Sequence, residues 1–170
     1  MTKLSVNLNK VALLRNQCET GRPGVLHAAR AIIDAGAHGV TVHPRPDERH
    51  IRRSDVSELA DMLASEYDNT IEFNIEGNPF PDFMELIDQV RPHQATLVPD
   101  SPEAATSDHG WDIPAHADRL TTIINDLHNM DARVSLFVDG DADHVRQAHE
   151  VGADRVELYT GPYAEAYGTA

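Results

Sequence analysis

Between Lys3 and Asn9 apolar and polar residues alternate, with Leu4, Val6 and Leu8 on one side and Ser5, Asn7 and Asn9 on the other. This period of two predicts a strand with one apolar face. After a loop holding Gly21, Pro23 and Gly24 the period changes. Val25, Ala28, Ala29, Ile32 and Ile33 recur at helical spacing, and Gly36 supplies the C-cap. A second strand runs from Gly39 to His43. Ser54 is then the expected N-cap of a helix carrying Val56, Leu59, Ala60, Leu63 and Ala64. Thr70 to Glu76 alternates again. Phe83, Leu86, Ile87 and Val90 mark a helix that stops before Pro92, and Gln94 to Val98 is a fourth strand. A polar loop with Thr106 and Gly110 leads to a helix with Leu120, Ile123, Ile124 and Leu127, with Pro114 near its first turn. Arg133 to Asp139 is a fifth strand. Asp141 caps a helix through Val145, Ala148 and Val151 to Gly152, and Arg155 to Tyr159 is a sixth strand followed by a short tail.

Strand and helix thus alternate with short connections, the pattern of a parallel sheet with crossover helices. The run Ala35 to His43 aligns with Val151 to Tyr159, so one helix-end-to-strand unit is used twice. Strands buried on both faces of a doubly wound sheet read as continuous apolar runs. Here one face is apolar and the other carries Asn7, Asn9, Thr41, His43, Asn74, Glu76, Thr96, Ser135 and Glu157. A sheet curled into a barrel accommodates both, with the apolar face meeting the helices and the polar face converging on the axis. Polar groups there are costly unless satisfied. They point either to a small polar ligand at the strand ends or to a network in which Asn, Thr and carboxylate groups satisfy one another.

Composition narrows the function. The chain has 170 residues, enough for one domain with a sizeable core, and no linker or low-complexity tract divides it. Lys and Arg number 14 against 28 Asp and Glu, a net charge of −14. Such a surface repels nucleic acid and anionic lipid, so any site for an anionic substrate must be a local positive patch. Cys18 is the single cysteine, which excludes an internal disulfide and a thiolate zinc cluster. With no long apolar stretch, a soluble cytoplasmic protein is expected.

The chemistry concentrates in Thr41 to His50, where a buried strand opens into a loop bearing His43, Arg45, Asp47, Glu48, Arg49 and His50, stiffened by Pro44 and Pro46. His43 and Glu76 end neighbouring strands and reach one mouth. There, burial is expected to raise the carboxyl pKa, and a nearby carboxylate to raise that of the imidazole, dividing acid and base work between them. Arg45 and His50 are placed to hold a phosphate, and Thr106 can add a hydroxyl. A divalent-metal hydrolase built on His43, His50 and Glu76 is an alternative, although seven residues across a proline-rich loop are not a helical ligand spacing.

Longer stretches add a resemblance. Ser5 to Asn16, Thr41 to Ile51, Glu72-Phe73-Asn74-Ile75-Glu76-Gly77-Asn78-Pro79, Leu97-Val98-Pro99-Asp100 and Val156 to Thr160 resemble the pyridoxine 5′-phosphate synthase family of vitamin B6 biosynthesis. The resemblance implies condensation of 1-deoxy-D-xylulose 5-phosphate with 3-amino-2-oxopropyl phosphate, without metal or organic cofactor. It implies an α/β, TIM-type (β/α)8 barrel, incomplete here with about six of eight strand-helix units present, and a homo-oligomer, an octamer in the family. By the same resemblance His43 and Glu76 are proton acceptors, and Glu157 stabilises the transition state. Asn7 contacts the amino-ketone phosphate, while Asn9, Lys10, Arg45, His50 and Thr106 lie at or beside the deoxyxylulose phosphate.

Two departures stand out. Where the family has a phosphate-gripping Arg two residues after its Arg-Asn pair, this chain has Cys18, leaving Arg22 or Arg15 to substitute. The second departure is length: set against the family's eight strand-helix units the chain is expected to end after about six, and the remaining part would carry a Gly-His-Gly-like proton donor and the phosphate loops after the last strands. A truncated, non-catalytic homologue serving as a binding or assembly subunit is therefore the alternative function.

Overall fold

A computed structural model describes residues 1–18, 20–102, 104 and 106–168. Six strands, β1 (Ser5–Asn7), β2 (Gly39–Val42), β3 (Glu72–Gly77), β4 (Gln94–Leu97), β5 (Arg133–Asp139) and β6 (Arg155–Tyr159), form one sheet in sequence order. Every neighbouring pair is parallel. The helices are α1 (Asn9–Asn16), α2 (Val25–Asp34), α3 (Arg53–Tyr67), α4 (Pro81–Val90), α5 (Ile113–Asn129), α6 (Ala142–Glu150) and α7 (Gly161–Ala166).

The sheet curls into a half-barrel. In a flat sheet β3 and β6 would lie roughly 14 Å apart, three spacings of about 4.7–4.9 Å. Yet Glu72 of β3 lies 3.5 Å from Arg155 of β6 and is also paired with Arg133 of β5. Val40, Val42, Phe73, Ile75, Ala95, Leu97, Val134, Leu136 and Val138 form the convex core against Ala29, Ile33, Leu59, Ile87, Leu120 and Leu127. A fully buried Leu or Ile contributes about 1.5–3 kcal/mol, so this layer outweighs any single polar contact on the concave side.

On that concave side the polar residues satisfy one another. Ser5 and Thr41 share a hydrogen bond of 2.9 Å, Asn74 donates to Thr41 at 3.3 Å, and Thr96 donates to Asn74 at 2.9 Å. Gln94 extends the line to Thr96 at 3.3 Å. At the amino ends of the strands Gln94 accepts from Arg133 and Arg155 at 3.0 and 3.1 Å. The network alternative is thus realised at mid-barrel, and the polar strand ends above it remain for a ligand.

Several expected boundaries move. Asn9 is not a strand residue: the Asn7 side chain accepts the Asn9 N–H at 2.8 Å, ends β1 and opens α1, a helix that strand alternation had concealed. Ser54 does not cap α3, whose first turn begins a residue earlier. The Asp55 carboxylate accepts the Arg52 N–H at 2.8 Å, and that of Glu48 the Arg53 N–H at 2.8 Å. The tail after β6 includes the short helix α7. The repeated unit is visible in the backbone, since Gly36 and Gly152 close α2 and α6 at φ of 99° and 95°. No helix among the described residues is long and apolar enough to cross a membrane.

Candidate functional site

The parallel register pairs Thr41 with Asn74 and Val42 with Ile75, so the next residues, His43 and Glu76, emerge side by side at the carboxyl ends of β2 and β3. Both are buried, at 7% and 9% exposure. His43 Nδ1 lies 3.9 Å from Glu76 Oε2, within electrostatic reach but too far for a direct hydrogen bond. The two asparagines of the β1–α1 junction hold the pair. Asn7 donates to Glu76 at 3.3 Å, and the Asn9 side chain accepts the His43 N–H at 2.8 Å. Glu157 stands half-buried on the concave face of β6, close enough for its charge to act on Glu76.

Electrostatics separate the two groups. Burial first, then the charges of Glu157 and Asp100, push the Glu76 carboxyl up to about 8, against the opposing hydrogen bond from Asn7. Burial likewise raises Glu157. His43 moves the other way from expectation: burial first, then Arg45, His50 and Arg49, push it down to about 3. The physical reason is that burial disfavours the imidazolium and two guanidiniums stand close by, while a Glu76 protonated near neutrality offers no negative charge to offset them. At pH 7 the site therefore presents a neutral imidazole, able to accept a proton, beside a carboxylic acid able to give one.

His50 completes the imidazole pair, its ring centroid 6.1 Å from that of His43. Its Nδ1 accepts the Ile51 N–H at 2.9 Å, so the neutral ring carries its proton on Nε2. Burial, then Arg45 and Arg49, push it down to about 4. Lys10 is exposed on α1 and lowers the same ring. Arg45 is buried at 6% exposure and already engaged, with Asp100 Oδ2 at 2.5 Å and the Ala104 carbonyl at 2.9 Å. Its fork meets a phosphate only by sharing or releasing Asp100. Thr106 is exposed on the β4–α5 connection beside Ser107, which donates to Asp100 at 2.6 Å. A cavity of about 380 Å³ lined by His43, Arg45, Asn78, Phe80 and Asp100 opens beside the pair. Glu157 faces a larger hollow of about 750 Å³ on the concave side.

The structure therefore gathers Asn7, Asn9, His43, His50, Glu76 and Glu157, with Arg45 adjoining through its pair with Asp100. Sequence reasoning met Asp100 only within the Leu97-to-Asp100 resemblance and gave it no role, although a carboxylate three residues beyond a buried strand was its signal. Of the two arginines proposed to replace the residue at Cys18, Arg15 is buried and paired with Asp55, whereas Arg22 is exposed on the loop before α2. Among the described residues no three His, Cys, Asp or Glu side chains are grouped to hold a metal ion, so the hydrolase alternative finds no ligand set.

A family model described as pyridoxal phosphate biosynthesis protein PdxJ matches residues 4–170. The pyridoxine 5′-phosphate synthase of Albidiferax ferrireducens is 55% identical over 99% of this chain and 68% of its own. Those of Allorhizobium ampelinum and Bacteroides fragilis are each 52% identical, over 97% and 98% of this chain and 66% and 68% of their own. The chain thus spans about two thirds of the length of these relatives. Among solved structures, the recombinant flavin-binding domain of baker's yeast flavocytochrome b2 superposes with a TM-score of 0.52 at 15% identity, covering 92% of this chain and 42% of that one, a likeness of fold alone. With 167 successive residues matched and relatives at half identity along its whole length, the chain belongs to the PdxJ family of pyridoxal phosphate biosynthesis proteins.

Proposed function

We infer that this chain is a pyridoxine 5′-phosphate synthase, joining 1-deoxy-D-xylulose 5-phosphate to 3-amino-2-oxopropyl phosphate, and that its half-barrel is six units of a TIM-type (β/α)8 barrel. The observation that carries this reading is the pairing of a low-pKa imidazole with a high-pKa carboxyl 3.9 Å apart at the strand ends. Amine and ketone combine to a carbinolamine, which loses water to give an imine. Glu76, holding its proton at neutral pH, can protonate the departing hydroxyl, and neutral His43 can take the proton released from nitrogen or the adjoining carbon. Glu157 shares the concave face and would stabilise the positive charge of the iminium as it forms. Asn7 and Asn9 hold the acid and base in register. His50, Lys10, Arg45 and Thr106 supply the positive and hydroxyl groups for the sugar phosphate.

A binding subunit without turnover is the second reading, favoured by the engagement of Arg45 with Asp100. Incubating the purified chain with both phosphates separates the two. Appearance of pyridoxine 5′-phosphate supports the synthase, and saturable binding of deoxyxylulose phosphate alone supports the binding subunit. Failure to bind either substrate overturns both.

A further inference from the structure

Asn16, the last residue of α1, lies outside the strand-helix alternation, yet its carboxamide organises the loop that carries the site. Its Nδ2 faces three successive carbonyls, those of Glu48, Arg49 and His50, at 3.2, 3.1 and 2.8 Å. Three carbonyl dipoles converging on one point repel each other unless a donor stands there. The curvature that aims them requires φ of 51° at Glu48, an unfavourable conformation for a residue other than glycine. Asn16 is itself held: its Oδ1 accepts from Arg15 Nε and a terminal nitrogen at 3.1 and 3.0 Å. Arg15 is buried at 8% exposure, donates to the His50 carbonyl at 3.1 Å and pairs with Asp55 in the first turn of α3. The carbonyl that both residues grip belongs to the residue whose ring stands beside His43.

We propose that Asn16, locked by Arg15 and Asp55, is a positioning residue for the site, setting the backbone of Glu48 to His50 and through it the place of the His50 imidazole. The groups facing that ring are Arg45, Asp47 and Arg49 from its own loop, Lys10 from α1, and His43. A purely structural staple would lower stability and leave the ring's surroundings unchanged once the protein is folded. A positioning residue moves the ring.

The test follows imidazole resonances of isotope-labelled protein against pH, with His50 assigned by its disappearance in His50→Gln. Asn16→Ala removes the donor without adding charge, and Asn16→Ser carries the same reading if the alanine variant does not fold. In the variant His50 titrates near its ordinary 6.5 instead of about 4. Asp154→Asn, which weakens contacts to Val134 and His128 away from the site, lowers the melting temperature without moving that titration. Affinity for deoxyxylulose phosphate falls about tenfold, the equivalent of one lost hydrogen bond. That affinity arm rests on the proposed function, whereas the titration does not, so a chain that binds no sugar phosphate leaves His50 to decide. A folded Asn16 variant in which His50 titrates as in the parent overturns the proposal.

Discussion

Glu76 keeps its proton to about pH 8 and His43 gives up its own by about pH 3, so the two titrate in the reverse of the usual order. Stability must depend on pH accordingly. For Glu76 the folded state holds the proton more tightly than the unfolded chain, so its contribution is complete below 4.5 and is lost as pH rises toward 8. For His43 the folded value lies below the ordinary 6.5, so its contribution is complete above 6.5 and is lost as pH falls toward 3. Replacing Glu76 by Gln removes the alkaline decline while keeping an oxygen for Asn7. The variant should melt above the parent at pH 8.5 and close to it at pH 5, in thermal scans across that range. Turnover of the two phosphates should drop by about 10²–10⁴-fold in the same variant. In the parent, kcat/KM should fall on an alkaline limb near pH 8, as the acid of the free protein loses its proton. A kcat/KM that stays level from pH 7 to 9.5 would deny Glu76 that role.

At the scale of elements, the connection from β4 to α5 shows how tightly the strand ends are built. The Gly110 N–H donates to Asp139 at 3.0 Å, the Trp111 N–H to the Phe137 carbonyl at 3.0 Å, and the indole to the Leu97 carbonyl at 2.9 Å. A Cβ at Gly110 would meet backbone atoms of Asp139 and Val138 at 2.4 and 2.5 Å, and backbone cannot swing aside as a side chain can. Gly110→Ala should therefore cost at least about 1–3 kcal/mol in denaturant unfolding, by prising the connection from β5. The six strands, and the helices from α2 to α6, were legible because period two and period 3.6 are each written in several residues, most with a closing glycine, proline or acidic cap. The helix α1 was not, because Leu4 to Leu8 sets up an alternation that Asn9 continues in the sequence. Only the Asx bond from Asn7, a matter of side-chain conformation, ends it. In the site, His43 and Glu76 were legible from strand position. The direction of the His43 shift was not, since it depends first on how deeply the ring is buried and then on the nearness of Arg45, His50 and Arg49, which residue order does not reveal.

Across the whole molecule the distribution of charge matters more than its sum. The chain carries 14 net negative charges, yet His50 at the mouth feels a positive field in which Arg45, Arg49 and Lys10 outweigh Asp47. Acidic residues thus repel one another over most of the surface while Arg45, Arg49 and Lys10 give one end of the half-barrel a local positive field. Salt should act on these two features in opposite senses. Screening relieves the general repulsion, with the Debye length falling from roughly 20 Å near 20 mM to about 8 Å at physiological ionic strength. The melting temperature should therefore rise between about 20 and 200 mM sodium chloride. The same screening weakens attraction of a doubly charged phosphate to the mouth, so the dissociation constant for deoxyxylulose phosphate should increase over that range. Calorimetric titration and thermal unfolding in matched buffers give both quantities. Affinity that strengthens with salt would mean that the acidic surface, not the positive groups at the mouth, governs the approach of the substrate, and Lys10 and His50 would then lose their part in phosphate capture.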